Sequence, residues 1–460
     1  MEIGKQQRIH FIAIGGSVMH NLAIALNNNG FVVSGSDDEI FEPAAGNLEK
    51  NGILPDYVGW KPEVITRDLD AVILGMHARL DNPELKKARE LDIPVFSFPD
   101  YIFNQSLNKQ RIVIAGSHGK TTITAMILHV LKYLNRDFDY LIGAHVEGFE
   151  TMVRLSKAPI IILEGDEYFS SPLDRVPKFL RYHHHIGLIS GVAWDHMNVF
   201  PTFEDYVKQF DIFADATPKA GTLIYCEDDP MATVVCSKER TDVTTIDYKV
   251  PPYTIENGTY ILNTPEENVP LKIFGKHNMQ NIAGAREVLK RIGVTNEQFN
   301  EAINSFKGAA NRLELIKAFN TTNIFRDFAH APSKVEATVN ALKEQGGDKK
   351  LVACLELHTF SSLNKKFLPQ YQDTLAAADL PIVYFNPKTI EHKKLEQITE
   401  AEIINNFKSS GLKVYTHSAQ LREMLLNLDW HESNLLLMSS GNFDGMDIQN
   451  LAEEIQKISS

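Results

Sequence analysis

Ile112-Val113-Ile114-Ala115-Gly116-Ser117-His118-Gly119-Lys120-Thr121-Thr122 sets an ammonium and several hydroxyls directly after a β-branched run and a glycine turn. Strand, loop and helix in that order are the frame of a phosphate-binding loop. The backbone N–H groups of Gly116, Ser117, His118 and Gly119 would crowd around phosphate oxygens, and the helix start would add its positive dipole end. Lys120 would reach the outer phosphates, Thr121 would hold Mg²⁺, and Thr122 would continue the helix start. The loop reads G-x-x-G-K-T, shorter than the common G-x-x-x-x-G-K-[ST], with Ile114 at the first glycine's place. The other reading, a surface Gly-Lys turn, does not account for the flanking strand and helix.

Leu163-Glu164-Gly165-Asp166-Glu167-Tyr168 also follows an apolar strand. Carboxylates just past a strand, in the region of a phosphate loop, are where Mg²⁺ ligands belong, and Glu164 is nearest the strand end. An acidic surface turn would look the same. Ala193-Trp194-Asp195-His196-Met197 follows a further apolar run, and His196 would ligate a second metal ion or orient phosphate. The adjacent His183-His184-His185 run reads as structural or surface, because consecutive strand residues point to opposite faces and at most two could share a site. His277, Asn278 and Asn281 open a helical pattern over 282–291; they suit an adenine edge or a plain helix cap. Asp327 and His330 end a short strand before Pro332, as a substrate-facing pair or as a proline-stopped turn.

The elements that must position these groups alternate between strand and helix throughout, which predicts an α/β chain with parallel sheets. At 460 residues, two to three domains are expected. Residues 1–107 read as a small α/β unit, 108–307 as the phosphate-loop region, and 308–460 as a third region ending in an amphipathic helix over 449–458. In the first, a strand over 9–14 meets Gly15-Gly16, and Asp37 ends the next strand about 20 residues on, where a dinucleotide fold sets an acid on a ribose. The fingerprint is incomplete, so an α/β unit without nucleotide stays open. The stretch 226–242 reads as charged and turn-rich. Hydrophobic content of 43% and charged content of 23% fit a soluble globular protein. A net charge of −13 speaks against a nucleic-acid binder. No apolar run spans a membrane, Met1–Lys5 lead into a strand, and the three cysteines lack metal spacing, so a cytoplasmic protein with packed thiols is expected.

Taken in order, these pieces resemble the Mur ligase family, the ATP-dependent amide-forming enzymes of peptidoglycan metabolism. The markers are Gly15-Gly16, Ser34-Gly35-Ser36-Asp37, Asp81-Asn82-Pro83-Glu84, the 116–122 loop, Glu164–Glu167, Asp195-His196, His277–Asn281, Arg312-Leu313-Glu314 and Asp327–Pro332. The resemblance implies three domains: a Rossmann-like UDP-sugar domain, a P-loop ATPase core, and a Rossmann-like C-terminal domain that brings the amine. It implies ATP and Mg²⁺ as cofactors. It assigns Lys120, Glu164, His196, Arg312, Asp327 and His330 to catalysis. Thr121, Glu164 and His196 would hold metal. Gly116 through Thr122, His277, Asn278, Asn281, Arg312 and Asp327 would bind ATP, and Gly15, Gly16, Ser17, Asp37 and His77 the UDP-sugar.

The partners implied are UDP-N-acetylmuramate and a peptide or amino acid, with no nucleic acid or membrane, and a monomer or weak homodimer. Within the family, Tyr168, the stretch 173–179 and Ser440–Gly445 resemble the member that attaches a recycled tripeptide, L-Ala-γ-D-Glu-meso-diaminopimelate. The alternative member adds L-alanine. A P-loop ATPase or kinase, or an idle UDP-sugar binder, are the readings from other classes. The sequence departs from the family at Ala331, where many members carry a second His, at Arg326, where they carry Asp, and at Val18 in the glycine turn. Some members carry a carbamylated lysine after the Asp-His pair; that position is Phe210 here, so no carbamate is expected.

Overall fold

Short β-branched and aliphatic runs form the strands, and glycine turns or prolines start the helices that return the chain. In the computed structural model the described residues are 6–76, 78–256, 258–310 and 312–459. Met1–Lys5, at the expected strand start, and His77, expected at the UDP-sugar, lie outside them, as do Asn257, Asn311 and Ser460. The chain forms two compact units. One comprises Met1–Val192, Val207–Tyr248 and Gly284–Val294; the other comprises Ala193–Tyr206, Lys249–Ala283 and Thr295–Ser460.

The first unit holds two sheets. Strands β1 (Arg8–Ile12), β2 (Val32–Ser36), β3 (Ala71–Leu74) and β4 (Val95–Ser97) form a parallel sheet in the order β2-β1-β3-β4. Ile12 stands beside Ser36 and Leu74, so the glycine turn and Asp37 leave the same edge. Val72, Leu74, Leu85 and Ile93 belong to the core beneath. The second sheet contains β5 (Gln110–Ala115), β6 (Asp139–Leu141), β7 (Val153–Arg154), β8 (Ile160–Glu164), β9 (Ile186–Ile189), β10 (Thr222–Cys226) and β11 (Thr244–Tyr248). Their order is β11-β10-β9-β5-β8-β6-β7, parallel except for β7. Ile112–Ala115 are fully buried, as a central parallel strand requires. Ile114 stands opposite Glu164, and Ala115 opposite Ile189.

The second unit holds an antiparallel three-stranded sheet, β12 (Tyr253–Glu256), β13 (Thr259–Asn263) and β14 (Asn268–Pro270). It also holds β15 (Glu314–Phe319), β16 (Thr322–Asp327), β17 (Lys350–Leu357), β18 (Leu380–Phe385), β19 (Lys413–Tyr415) and β20 (Ser433–Met438), ordered β15-β16-β20-β17-β18-β19. Met438 is paired with both Asp327 and Leu355. The segments after β16, β17 and β20 therefore share one edge, where open α/β sheets take ligands. Apolar side chains pack on both faces of this sheet.

The charged, turn-rich stretch 226–242 also contains the helix Pro230–Cys236, capped by the Asp229 side chain on Ala232 N–H. Asp-Pro at a helix start reads as a turn, but it is also a cap followed by a proline whose missing N–H costs nothing there. The three cysteines are free and buried. Among the described residues no helix is long and apolar enough to cross a membrane.

Candidate functional site

The phosphate loop turns on two glycines in the left-handed region. Gly116 has φ 128, and a Cβ there would lie 2.2 Å from Ser190 Oγ. Gly119 has φ 77 and sits just ahead of the helix Lys120–Tyr133. The Ser117 hydroxyl lies 2.9 Å from His118 Nδ1, and Ser117 N–H donates to Gly191 O at 2.9 Å. Ser190 Oγ donates to His118 O. The Lys120 ammonium donates to Gly116 O at 2.5 Å and to Glu167 Oε2 at 2.7 Å. Burial works against its charge, but Glu167, Asp166 and Glu164 outweigh it and hold the Lys120 pKa above the usual lysine value. Thr121 Oγ1 donates to Glu164 Oε1 at 2.7 Å, and Gly143 N–H donates to Glu164 Oε2 at 2.7 Å. A hydroxyl and a carboxylate meeting at the head of a phosphate loop form an all-oxygen set suited to Mg²⁺. Thr122 is buried in the first turn of the helix.

At the edge of the first sheet, Gly15 N–H donates to Asp37 Oδ2 at 2.7 Å, and Asp38 N–H donates to Asp37 Oδ1 at 2.9 Å. Burial raises the Asp37 pKa. The acid expected at a ribose thus also fixes the glycine turn. Gly16 and Ser17 lead into the helix Ser17–Asn28, and a Cβ on Gly16 would touch Met19 at 3.4 Å. The Asn82 side chain caps the helix Pro83–Glu90, and Glu84, fully buried, accepts from Ser36 Oγ and Lys61 N–H at 2.7 Å each.

In the second unit, Asp195 Oδ1 accepts His196 N–H at 2.7 Å, and Lys334 Nζ lies 3.1 Å from Asp195 Oδ2. Burial raises the Asp195 pKa, but Lys334, His196 and His330 overcome this and hold it below the usual range. His196 has φ 55, a left-handed backbone conformation uncommon for a non-glycine residue. His330 Nδ1 lies 2.9 Å from Phe328 O. Burial, with Lys334 beside it, lowers the His330 pKa to about 4. Asp327 accepts Leu313 N–H and Ala329 N–H at 2.6 Å each, while Arg312 lies over the Phe328 ring at 4.8 Å. Burial raises the Asp327 pKa, with Arg312 opposing. The helix Lys276–Arg291 starts before His277, so Asn278 and Asn281 lie inside it. Asn278 donates to Phe274 O at 2.8 Å, and Asn281 donates to Asn278 Oδ1 at 3.4 Å.

Comparison with known proteins gives the family. Residues 8–105 match the model of the Mur ligase family catalytic domain, and 114–289 that of the Mur ligase middle domain. A UDP-N-acetylmuramate–L-alanine ligase from Carboxydothermus hydrogenoformans is 31% identical over 353 residues, 74% of each chain. The chain belongs to the Mur ligase family. It is an ATP-dependent, ADP-forming ligase with the mixed α/β fold of that family. A Sulfurihydrogenibium relative of the same name is 27% identical over 95% of this Mur ligase and 96% of its own chain. Two solved structures share the fold. A murein peptide ligase from Psychrobacter arcticus has TM-score 0.68 and 21% identity over 99% of this chain and all of that one. A UDP-N-acetylmuramate-alanine ligase from Thermotoga maritima has TM-score 0.71 and 20% identity over 98% of this chain and 99% of that one.

Sequence reasoning passed over three polar groups of this Mur ligase. Glu167, buried against Lys120, was quoted only as part of an acidic run. Lys334 gave no signal, because one lysine in a helix's first turn looks like surface. Glu356 is the last residue but one of the buried strand β17, and an acid inside an apolar run is the signal that could have found it. Glu356 Oε2 accepts Phe443 N–H at 2.8 Å and the Ser439 hydroxyl, and Oε1 lies 3.7 Å from His358 Nδ1. Of the 183–185 histidines, His184 is buried with Nε2 2.9 Å from Thr217 Oγ1, His185 is half-buried with Nδ1 accepting Arg111 N–H at 3.0 Å, and His183 is exposed.

Proposed function

We propose that this ligase joins the lactyl carboxylate of UDP-N-acetylmuramate to the amine of L-Ala-γ-D-Glu-meso-diaminopimelate through an acyl phosphate. The observation that carries the amide-forming chemistry is the Lys120–Thr121–Glu164 cluster at the edge of β5 and β8. A carboxylate attacking a phosphate sets anion against anion, so positive charge must be fixed where the transition state forms. Lys120, kept charged by three acids, supplies part of it. Thr121 and Glu164 would hold Mg²⁺, which supplies the rest when bound. Gly116–Thr122 cradle the phosphates, while His277, Asn278 and Asn281 face adenine, and Arg312 and Asp327 meet ATP. Gly15, Gly16, Ser17 and Asp37 take the UDP-sugar.

His330 acts on the amine. Its Nδ1–H donates to Phe328 O, which leaves Nε2 as an acceptor. A pKa near 4 keeps the ring neutral, so Nε2 accepts a hydrogen bond from the incoming amine and orients its lone pair toward the acyl carbon. The tripeptide reading is supported by the segment after β20. Phe443, Asp444 and Gly445 have φ of 51, 58 and 81, and Glu356 anchors this left-handed run. It is a fixed turn at the ligand edge of the sheet, in a stretch that resembles the recycling member. The names of the Carboxydothermus and Sulfurihydrogenibium relatives favour a second reading, L-alanine as the amine. We read the protein as cytoplasmic, with separate UDP-sugar, ATP and amine domains over 1–107, 108–307 and 308–460.

Phosphate release from ATP and Mg²⁺ with UDP-N-acetylmuramate tests both readings. Stimulation by the tripeptide and not by L-alanine is expected. Stimulation by L-alanine alone would transfer the enzyme to the second reading, and release that ignores both amines would refute ligation.

A further inference from the structure

The phosphorylation step requires two substrates held on different sheets of the first unit to meet in line. The hairpin that follows β6 is bonded to both. On one side, Gly143 N–H donates to Glu164 Oε2 at 2.7 Å, and Glu164 in turn takes the Thr121 hydroxyl. The hairpin closes on itself through Ile142 N–H to Met152 O at 3.0 Å and Tyr140 Oη to Thr151 O at 3.1 Å. On the other side, Met152 N–H donates to Asn21 Oδ1 at 2.9 Å. Asn21 lies on the helix that begins at the glycine turn, and its Nδ2 donates to Ser17 O at 2.8 Å. Asn29, ending that helix, donates to Leu155 O at 2.7 Å. The Asn21 amide is buried and bonded at both ends, so its direction is fixed.

We infer that Asn21 is a positioning residue: through the 142–155 hairpin it sets the register between the UDP-sugar turn and the Thr121–Glu164 pair. This rests on the proposed UDP-sugar and ATP sites. Neither Asn21 nor Met152 needs to touch a substrate. Their effect is on the distance and angle between two bound reactants, a quantity to which rate is steep, since about 1 Å of misplacement costs roughly 10²-fold. A residue acting on register changes kcat and leaves each separate affinity alone. A residue that merely stabilises the fold changes the folded fraction and neither ratio.

The test is Asn21→Ala in the full chain. Calorimetry gives the affinity for UDP-N-acetylmuramate and for a non-hydrolysable ATP analogue, each alone, and amine-dependent phosphate release gives kcat. Both affinities within about threefold of wild type and kcat lower by about ten- to a hundredfold is the expected result. A kcat within about twofold, or a loss carried wholly by weaker UDP-N-acetylmuramate binding, overturns the inference while leaving the ligase reading intact. A wild-type enzyme that releases no phosphate in response to UDP-N-acetylmuramate overturns that reading and the inference with it. If Asn21→Ala does not fold, Asn29→Ala at the exposed end of the same seam takes its place. It should lower kcat about three- to tenfold at unchanged affinities, and an unchanged kcat overturns the inference.

Discussion

Replacing Lys120 by Met removes a charge that does two separable things. The ammonium sits 2.7 Å from Glu167, whose side chain is 1% exposed, and the lysine itself is 12% exposed. Truncating one partner of a buried pair leaves the other charge uncompensated, at a typical cost of about 3–5 kcal/mol. Relaxation toward water near the loop favours the lower end, about 3 kcal/mol, or a thermal midpoint lower by about 6–12 °C for a unit of this size. The catalytic loss is larger. A fixed cation at a transferring phosphoryl group is worth on the order of 10³ in rate, about 4 kcal/mol. The two effects separate in Lys120→Met/Glu167→Gln, where no buried carboxylate is left bare. Thermal unfolding should then recover most of its loss, while UDP-N-acetylmuramate-dependent phosphate release stays down by about 10³. A double variant that regains turnover to within about tenfold of wild type would refute the assignment of Lys120 to the transition state. A single variant as stable as wild type would refute the reading of the Glu167 pair.

Glu164→Ala should raise the Mg²⁺ concentration for half-maximal phosphate release by about tenfold or more, and an unchanged Mg²⁺ titration would take Glu164 out of the metal set. Gly116→Ala should weaken ATP-analogue binding at least about tenfold, because the new Cβ would meet Ser190 Oγ at 2.2 Å at a φ of 128; calorimetry decides. His184 is pushed down to about 3, chiefly by burial, so below its unfolded value near 6.5 the unfolded chain holds the extra proton and stability falls with pH toward 3. The loss from pH 6.5 to 5 is about 2 kcal/mol, and His184→Gln should show a smaller fall in thermal midpoint over that range than wild type.

The sheets and the phosphate loop were legible because their signals are local. Ile112–Ala115 is an apolar run ending in glycine, and Gly116 and Gly119 carry the positive φ values that such a turn demands. Glu164 was legible for the same reason, as the last residue of a buried strand. Glu167 and Asn21 were not, since what they do depends on partners 47 and 131 residues away. The helix Pro230–Cys236 was hidden by its cap, because Asp-Pro serves a turn and a helix start equally well. Glu356 was missed because it lies inside β17, one residue short of its end, where the strand-end rule does not reach.

Two of the departures from the family pattern, Arg326 and Ala331, are explicable by their surroundings. Arg326 on β16 stands directly opposite Glu314 on β15, so a cation in place of the family's acid makes an opposite-charge cross-strand pair rather than a like-charge clash. Ala331 is 5% exposed at the N-cap of the helix Pro332–Gly346 and makes no side-chain cap bond. A second imidazole there would have to be buried, so the small residue leaves His330 as the imidazole of this turn, with Lys334 one turn on. Lys334 presents its charge to Asp195 and helps to hold His330 neutral. A neutral ring beside a fixed ammonium repels a protonated amine and accepts a hydrogen bond from a neutral one. On the proposed role of His330, this turn would select the neutral form of the incoming amine, the form that carries the lone pair an acyl phosphate needs.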